Sequence, residues 1–284
     1  MHHILERMLF MYTAFNLKIS LADFSSIDEY IHIGKKQKLE LSKFAKKELD
    51  DFILSDEILD GEKLSESWFK TVESDVFISH SHNDVELAYA LAGWLKKQFD
   101  LNVFLDEVVW GSADELLKKL DDKYCYKSET KTYNYTKRNF TTSHVHAMLS
   151  TAIQSVMDNS EVIFFLNTEE SFPSISNVLK ENSEYTLSPW IYQEVINAKL
   201  LRPVNWAVYR RKRTLQHSLY ESASNTLNIA YKTPINDFTL LDATTLSAWQ
   251  EKQSKVKDEP YGGLFIDTFD HPLNHLYDIV FETK

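Results

Sequence analysis

The chain has 284 residues, 43% of them hydrophobic and 13% aromatic, which is ample for a packed core. Its 31 basic and 42 acidic side chains leave a formal charge of −11, which opposes broad attraction to nucleic acid or anionic lipid. A single cysteine, Cys125, excludes an internal disulfide framework and any cysteine-rich metal site, and suits a reducing cytoplasm.

The opening stretch Ile4 to Phe15 is apolar but broken by Glu6 and Arg7, and it falls short of the ~20 residues of a membrane span. It reads as a buried helix or strand, with no membrane partner implied. Residues 1–70 read as a separate, mainly helical region, because Leu41, Phe44, Ala45, Leu49, Phe52 and Ile53 recur at three- and four-residue spacing. The main domain would then occupy 71–284.

In that domain Val76 to Ser79 reads as a strand, followed by a helix with Asn83 or Asp84 as N-cap and an apolar face of Leu87, Leu91, Trp94, Leu95 and Phe99. A second strand, Val103 to Leu105, ends in Asp106. A loop with Trp110 and Gly111 comes next, and then an insertion around 120–142 whose tyrosine-rich part, Tyr124 to Phe140, shows neither a helical nor a strand period. Ser143 caps the second helix, which places Val145, Met148, Leu149, Ala152, Ile153 and Val156 on one face.

The third strand, Val162 to Leu166, is a continuous apolar run, as a central parallel strand buried on both sides requires. After a polar loop, the third helix begins near Ser188 and Pro189. Leu227 to Tyr231 and Phe238 to Leu241 are candidates for the fourth and fifth strands, and Leu273, Leu276, Tyr277 and Val280 suggest a closing helix. Strands alternating with helices at short spacing predict an α/β fold, a parallel sheet with helices on both faces.

Several chemistries have no residues to carry them. With six glycines the chain assembles no phosphate loop or dinucleotide fingerprint, and no G-x-S-x-G elbow is present. The pairs His80/His82 and His144/His146 have no carboxylate or cysteine spaced to complete a metal shell, so no metal site is expected. What remains is polar residues at strand ends: Ser79, His80, Ser81 and His82 after the first, Asp106 after the second. Trp190 and Glu194 lie one helical turn apart on one face of the third helix. Spacing alone does not separate Glu194 from a solvated surface glutamate.

The runs DVFISHSHND, LAGWL, VFLD, AIQSVMDNSEVIFFL and SPWIYQEV, over about Asp75 to Leu201, stand in an order and spacing that resemble bacterial Toll/interleukin-1 receptor (TIR) domains. The resemblance implies a flavodoxin-like, five-stranded parallel sheet. It implies an NAD-consuming enzyme of the antiphage-defence type, in which Ser188, Trp190 and Glu194 match the motif that supplies the catalytic glutamate. It implies Ser79, His80, Ser81, Asp106, Trp110 and Trp190 as residues around the NAD, with NAD as substrate and no cofactor. Self-association through TIR domains and a separate effector that senses the product would be its partners. Two other readings stay open, a non-catalytic TIR scaffold and an enzyme resembling nucleoside deoxyribosyltransferases.

Overall fold

The computed structural model describes residues 13–41, 48–55, 58–69, 73–173, 184–201, 230–257 and 271–281. Within them the main sheet is built from Thr13–Lys18 (β1), Val76–Ser79 (β2), Val103–Leu105 (β3), Val162–Leu166 (β4) and Thr239–Asp242 (β5). The order is β3–β2–β4–β1–β5 and every pairing is parallel. Parallel neighbours need crossovers, and helices supply them. The helices are Ile27–Leu41 (α1), Gly61–Trp68 (α2), Val85–Phe99 (α3), Glu107–Leu120 (α4), Tyr135–Asp158 (α5), Pro189–Leu200 (α6), Ala243–Lys257 (α7) and Pro272–Phe281 (α8). The fold is α/β and flavodoxin-like, with helices on both faces.

The period-two alternation of each strand divides the core in two. Val76 and Ile78 of β2, Val103 and Leu105 of β3, and Val162, Phe164 and Leu166 of β4 join α1, α3, α7 and α8 in one cluster. Phe77, Phe104, Ile163 and Phe165, the residues between, join α2, α4, α5 and α6 in the other. On the first face α1 and α3 run antiparallel at very close range. A Cβ on Gly34 would lie 2.2 Å from the carbonyl oxygen of Tyr89, and one on Gly93 would lie 1.8 Å from that of Tyr30. Only glycine permits that approach at either position.

The division expected at residue 70 is not what the contacts show. β1 lies inside the main sheet between β4 and β5, and α1 packs along α3. The reason is local: Phe15 and Leu17 are fully buried on the first face, but polar Thr13, Asn16 and Lys18 interrupt β1, so it lacks the unbroken apolar run by which a buried parallel strand is read. β1 also takes the sheet position expected for Leu227 to Tyr231. Residues 227–229 lie outside the described residues, and Tyr231–Lys232 pairs antiparallel with Tyr185–Thr186, away from the main sheet.

Three further expectations are corrected. The helix read through Leu41 to Ile53 ends as α1 at Leu41; 42–47 lie outside the described residues, and Leu49–Phe52 is a 3-10 turn that buries Leu49 and Phe52. Three-residue spacing suits a 3-10 turn as well as a helix. The loop expected around Trp110 is the first turn of α4, where Val108, Val109 and Gly111 depress helix propensity without preventing the helix. The tyrosine-rich stretch is ordered: Tyr126–Lys127 pairs with Thr132–Tyr133, and α5 starts at Tyr135, two turns before Ser143. Its N-cap is Asn134, whose side chain accepts from the Lys137 N–H at 3.1 Å. Those early turns are exposed on all sides, so they carry no apolar period.

Candidate functional site

The register of β2 and β3 places Phe77 opposite Phe104, their rings stacked 5.7 Å apart. One step further along the same face come Ser79 and Asp106. A polar layer therefore closes the aromatic one at the carboxyl end of the sheet. The chain leaves β2 for β3 on one side and later enters β4 on the other, so this is also the topological switch point, where open α/β sheets bind ligands.

α6 covers this layer. Ser188 caps it by accepting from the Ile191 N–H at 3.3 Å, and Pro189 takes the first helical position, where its missing N–H costs nothing. Ile191, Val195 and Ala198 bury the helix against the second core cluster, and that docking carries Glu194 inward. Ser79, His80, Asp106 and Glu194 are exposed by only 1%, 6%, 4% and 1%. The Ser79 hydroxyl donates to Glu194 Oε2 at 2.5 Å. His80 Nδ1 lies 2.8 Å from Asp106 Oδ1. Glu194 Oε1 has no hydrogen-bond partner among the described residues.

Burial and, second, the charge of Asp106 raise the Glu194 carboxyl well above the usual carboxylate range, while the bond from Ser79 opposes them. Both effects favour the protonated, neutral form of this buried carboxyl. As an acid it can donate a hydrogen bond; ionised, it would add a second buried negative charge beside Asp106.

The other sequence candidates fall elsewhere. Ser81 turns away from the cluster: its N–H donates to Ser171 Oγ at 3.1 Å, and its hydroxyl accepts from the Asn83 N–H at 3.4 Å. Trp190 is half-buried and packs edge-on to His146, ring centroids 6.4 Å apart, which makes it a spacer between α5 and α6. Burial lowers the pKa of His146 to about 4, so that ring is neutral near neutral pH. Trp110 stands in the first turn of α4, and its side chain lies outside the described ones. His80 is buried while His82 is exposed, and His146 is buried while His144 is exposed. Among the described residues no group of three or more His, Cys, Asp or Glu is placed to hold a metal ion.

Sequence reasoning missed the clip that fixes the turn after β2. Asp84, expected as a helix cap, makes no side-chain cap bond. Its carboxylate accepts instead from Thr168 Oγ1 at 2.6 Å and Ser171 Oγ at 3.0 Å, on the loop after β4. Asn83 Nδ2 donates to Glu170 Oε2 at 2.6 Å beside it. On β1, buried Asn16 accepts from Asn167 Nδ2 at 2.8 Å. The signal was there in the abrupt change from VIFFL to Asn167 and Thr168.

Among the described residues no helix is long and apolar enough to cross a membrane. Set against protein-family models, curated proteins and solved structures, the chain matches none of them.

Proposed function

We propose that the chain is a TIR-type enzyme that cleaves the nicotinamide–ribose bond of NAD through Glu194. The observation that carries this reading is a buried glutamate, bonded to Ser79 and adjoining the His80–Asp106 pair, at the switch point of a flavodoxin-like sheet. The resemblance of SPWIYQEV to the TIR catalytic segment reaches the same residue from sequence.

One carboxyl group suffices for this bond. Nicotinamide leaves NAD as a neutral molecule, so no general acid is needed, unlike the two-carboxyl sites of ordinary glycosidases. The positive charge that builds on the ribose is stabilised by the ionised form of Glu194, most strongly in a dry site. Ser79 holds one carboxyl oxygen in place and leaves the other for the ribose hydroxyls. His80 is oriented by Asp106 at the same rim. Water, an adenine nitrogen or a second substrate would capture the cation, giving ADP-ribose or a cyclic or conjugated form of it. The near-complete burial of Glu194 supports a resting state that opens on activation, as self-assembly in antiphage defence with a product-sensing effector would demand.

The test is chromatography of NAD incubated with the full chain and with Glu194→Gln. Release of nicotinamide by the wild type, lost by at least about a hundredfold in the variant, is the expected result. Turnover of free nucleosides in place of NAD, or equal loss of NAD with both proteins, overturns it.

A further inference from the structure

The buried cluster contains two carboxyl groups and one imidazole. With both acids ionised and His80 charged, it would still hold one negative charge in excess, and neither Glu194 nor Asp106 forms an ion pair with Lys or Arg among the described residues. Such an excess is costly in a dry site unless a cation sits beside it. In the free protein a proton on Glu194 would serve as that cation, the direction in which burial and the neighbouring Asp106 push its carboxyl. Its Oε1, fully buried and without a partner among the described residues, marks the place where another positive group would be stabilised.

We propose that this cluster is charge-matched to the pyridinium ring of an oxidised nicotinamide nucleotide, and that binding of that ring sends one proton from Glu194 to solvent. This rests on the NAD-cleaving reading above and adds to it. The balance is simple: a neutral acid and a cationic ring become a carboxylate beside that ring, plus one free proton. The exchange also converts Glu194 into the form the chemistry needs, at the moment substrate arrives. A nucleotide of the same shape with an uncharged ring, the reduced dinucleotide, leaves the proton in place and binds more weakly.

Among the described residues no other group near α6 replaces Glu194 in this role. Elements packed against that helix bring His146 from α5, Glu184, Tyr185, Tyr231 and Lys232 from the small antiparallel ladder, and Asp237. His146 has its pKa lowered to about 4 by burial and stays neutral in the window of interest. Tyr231 stacks on Tyr192 of α6, and Asp237 is paired with Lys199 beyond Glu194 on the same helix.

The probe is carbocyclic NAD, whose ribose ring oxygen is replaced by carbon; it keeps the charged ring but resists cleavage, because no oxygen can stabilise the ribosyl cation. The full chain is titrated calorimetrically with its oxidised and reduced forms, from about pH 6 to about pH 8, in buffers of unequal ionisation enthalpy. The oxidised form is expected to release close to one proton at the acid end, its affinity rising by up to about tenfold per pH unit. The reduced form should release none and bind with flat pH dependence. Glu194→Gln should abolish both the slope and the preference for the oxidised form.

An oxidised analogue that binds without proton release, or a reduced one that releases as much, overturns the proposal. If NAD is nonetheless consumed through Glu194, the enzymatic reading survives alone. Should the analogue not bind while NAD is consumed, kcat/KM for NAD must show the same rise with pH, and a flat profile overturns the proposal. If neither analogue binds and NAD is untouched, both readings fall.

Discussion

The two faces of the sheet are built from the same strands yet differ in kind. On the face covered by α1, α3, α7 and α8, the inward residues of the strands are uniformly apolar: Phe15 and Leu17, Val76 and Ile78, Val103 and Leu105, Val162, Phe164 and Leu166, and Leu241. On the face covered by α2, α4, α5 and α6, Phe77, Phe104, Ile163 and Phe165 are joined near the carboxyl edge by Asn16, Ser79 and Asp106. Buried polar groups lower stability unless they are paired, and even paired they add little. The first face is therefore a foundation, and the polar edge of the second holds a candidate site, a cluster that stability alone does not call for.

If this division is right, a large truncation on the first face damages folding and leaves the chemistry of surviving molecules alone. Trp249 of α7 is fully buried, stacked on Phe99 at 4.0 Å and edge-on to Trp94 at 5.7 Å, and its Nε1 donates to the Pro272 carbonyl at 2.8 Å. Trp249→Ala should cost about 3–5 kcal/mol in urea denaturation. NAD turnover per folded molecule should not change; a proportional fall in turnover would show that the faces are not separable.

A smaller effect on the same face comes from one methyl group. In Gly93→Ala the new Cβ meets the Tyr30 backbone, which cannot swing aside, so α1 and α3 must part at a cost of about 1–3 kcal/mol. This exceeds or offsets the ~1 kcal/mol that alanine gains over glycine within a helix. Gly61 at the start of α2 has nothing within 4 Å of an added Cβ, and Gly61→Ala is the control that should lose nothing. A Gly93→Ala variant that melts above the wild type, as an unhindered alanine within a helix would make it, would refute the close crossing.

The same contrast explains what could be read from the sequence. β2, β3 and β4 are visible with their observed bounds because buried parallel strands are short, unbroken apolar runs, and α6 carries a clear start signal at Ser188. β1 is hidden because half of it is polar, the buried Asn16 and the end residues Thr13 and Lys18, so it shows no unbroken apolar run. At the site, strand-end position points to Ser79, His80 and Asp106 and the resemblance to Glu194, but only the fold shows that they converge, since Ser79 and Glu194 are 115 positions apart. Trp190 fitted the motif and turned out to be packed against His146, while Asp84, Thr168 and Ser171 have no spacing that links them.

On the second face the sharpest measurement is how stability varies with pH. The folded-state pKa of Glu194 is raised above its unfolded value near 4.5, so the folded protein holds a proton that the unfolded chain releases. The stability that this proton secures is complete below the unfolded pKa and is lost as pH rises through the folded one, at up to about 1.4 kcal/mol per pH unit. Glutamine resembles the protonated acid and does not titrate. Glu194→Gln should match the wild type near pH 4.5 and grow steadily more stable than it toward neutral pH, in denaturant melts at matched ionic strength. A difference that stays constant across that range would mean the carboxyl ionises freely.

The weakest expected effect tests whether the loops around the site belong to the foundation or to the site. Thr168→Val keeps the side-chain shape but removes the 2.6 Å bond to Asp84, which then retains Ser171 alone. Asp84 is only partly buried, so water replaces part of the loss, and about 1 kcal/mol, or roughly 2–4 °C in Tm, is expected. Thr168 Oγ1 also accepts from the Ser171 N–H at 3.2 Å, and Ser171 in turn holds the Ser81 N–H, one residue from His80. A looser Ser171 therefore shifts the rim of the cluster, and kcat should fall a few-fold with KM little altered. A variant with lowered Tm and unchanged kcat would assign the clip to the foundation, and would leave Ser79, His80, Asp106 and Glu194 as a site that its own burial holds in place.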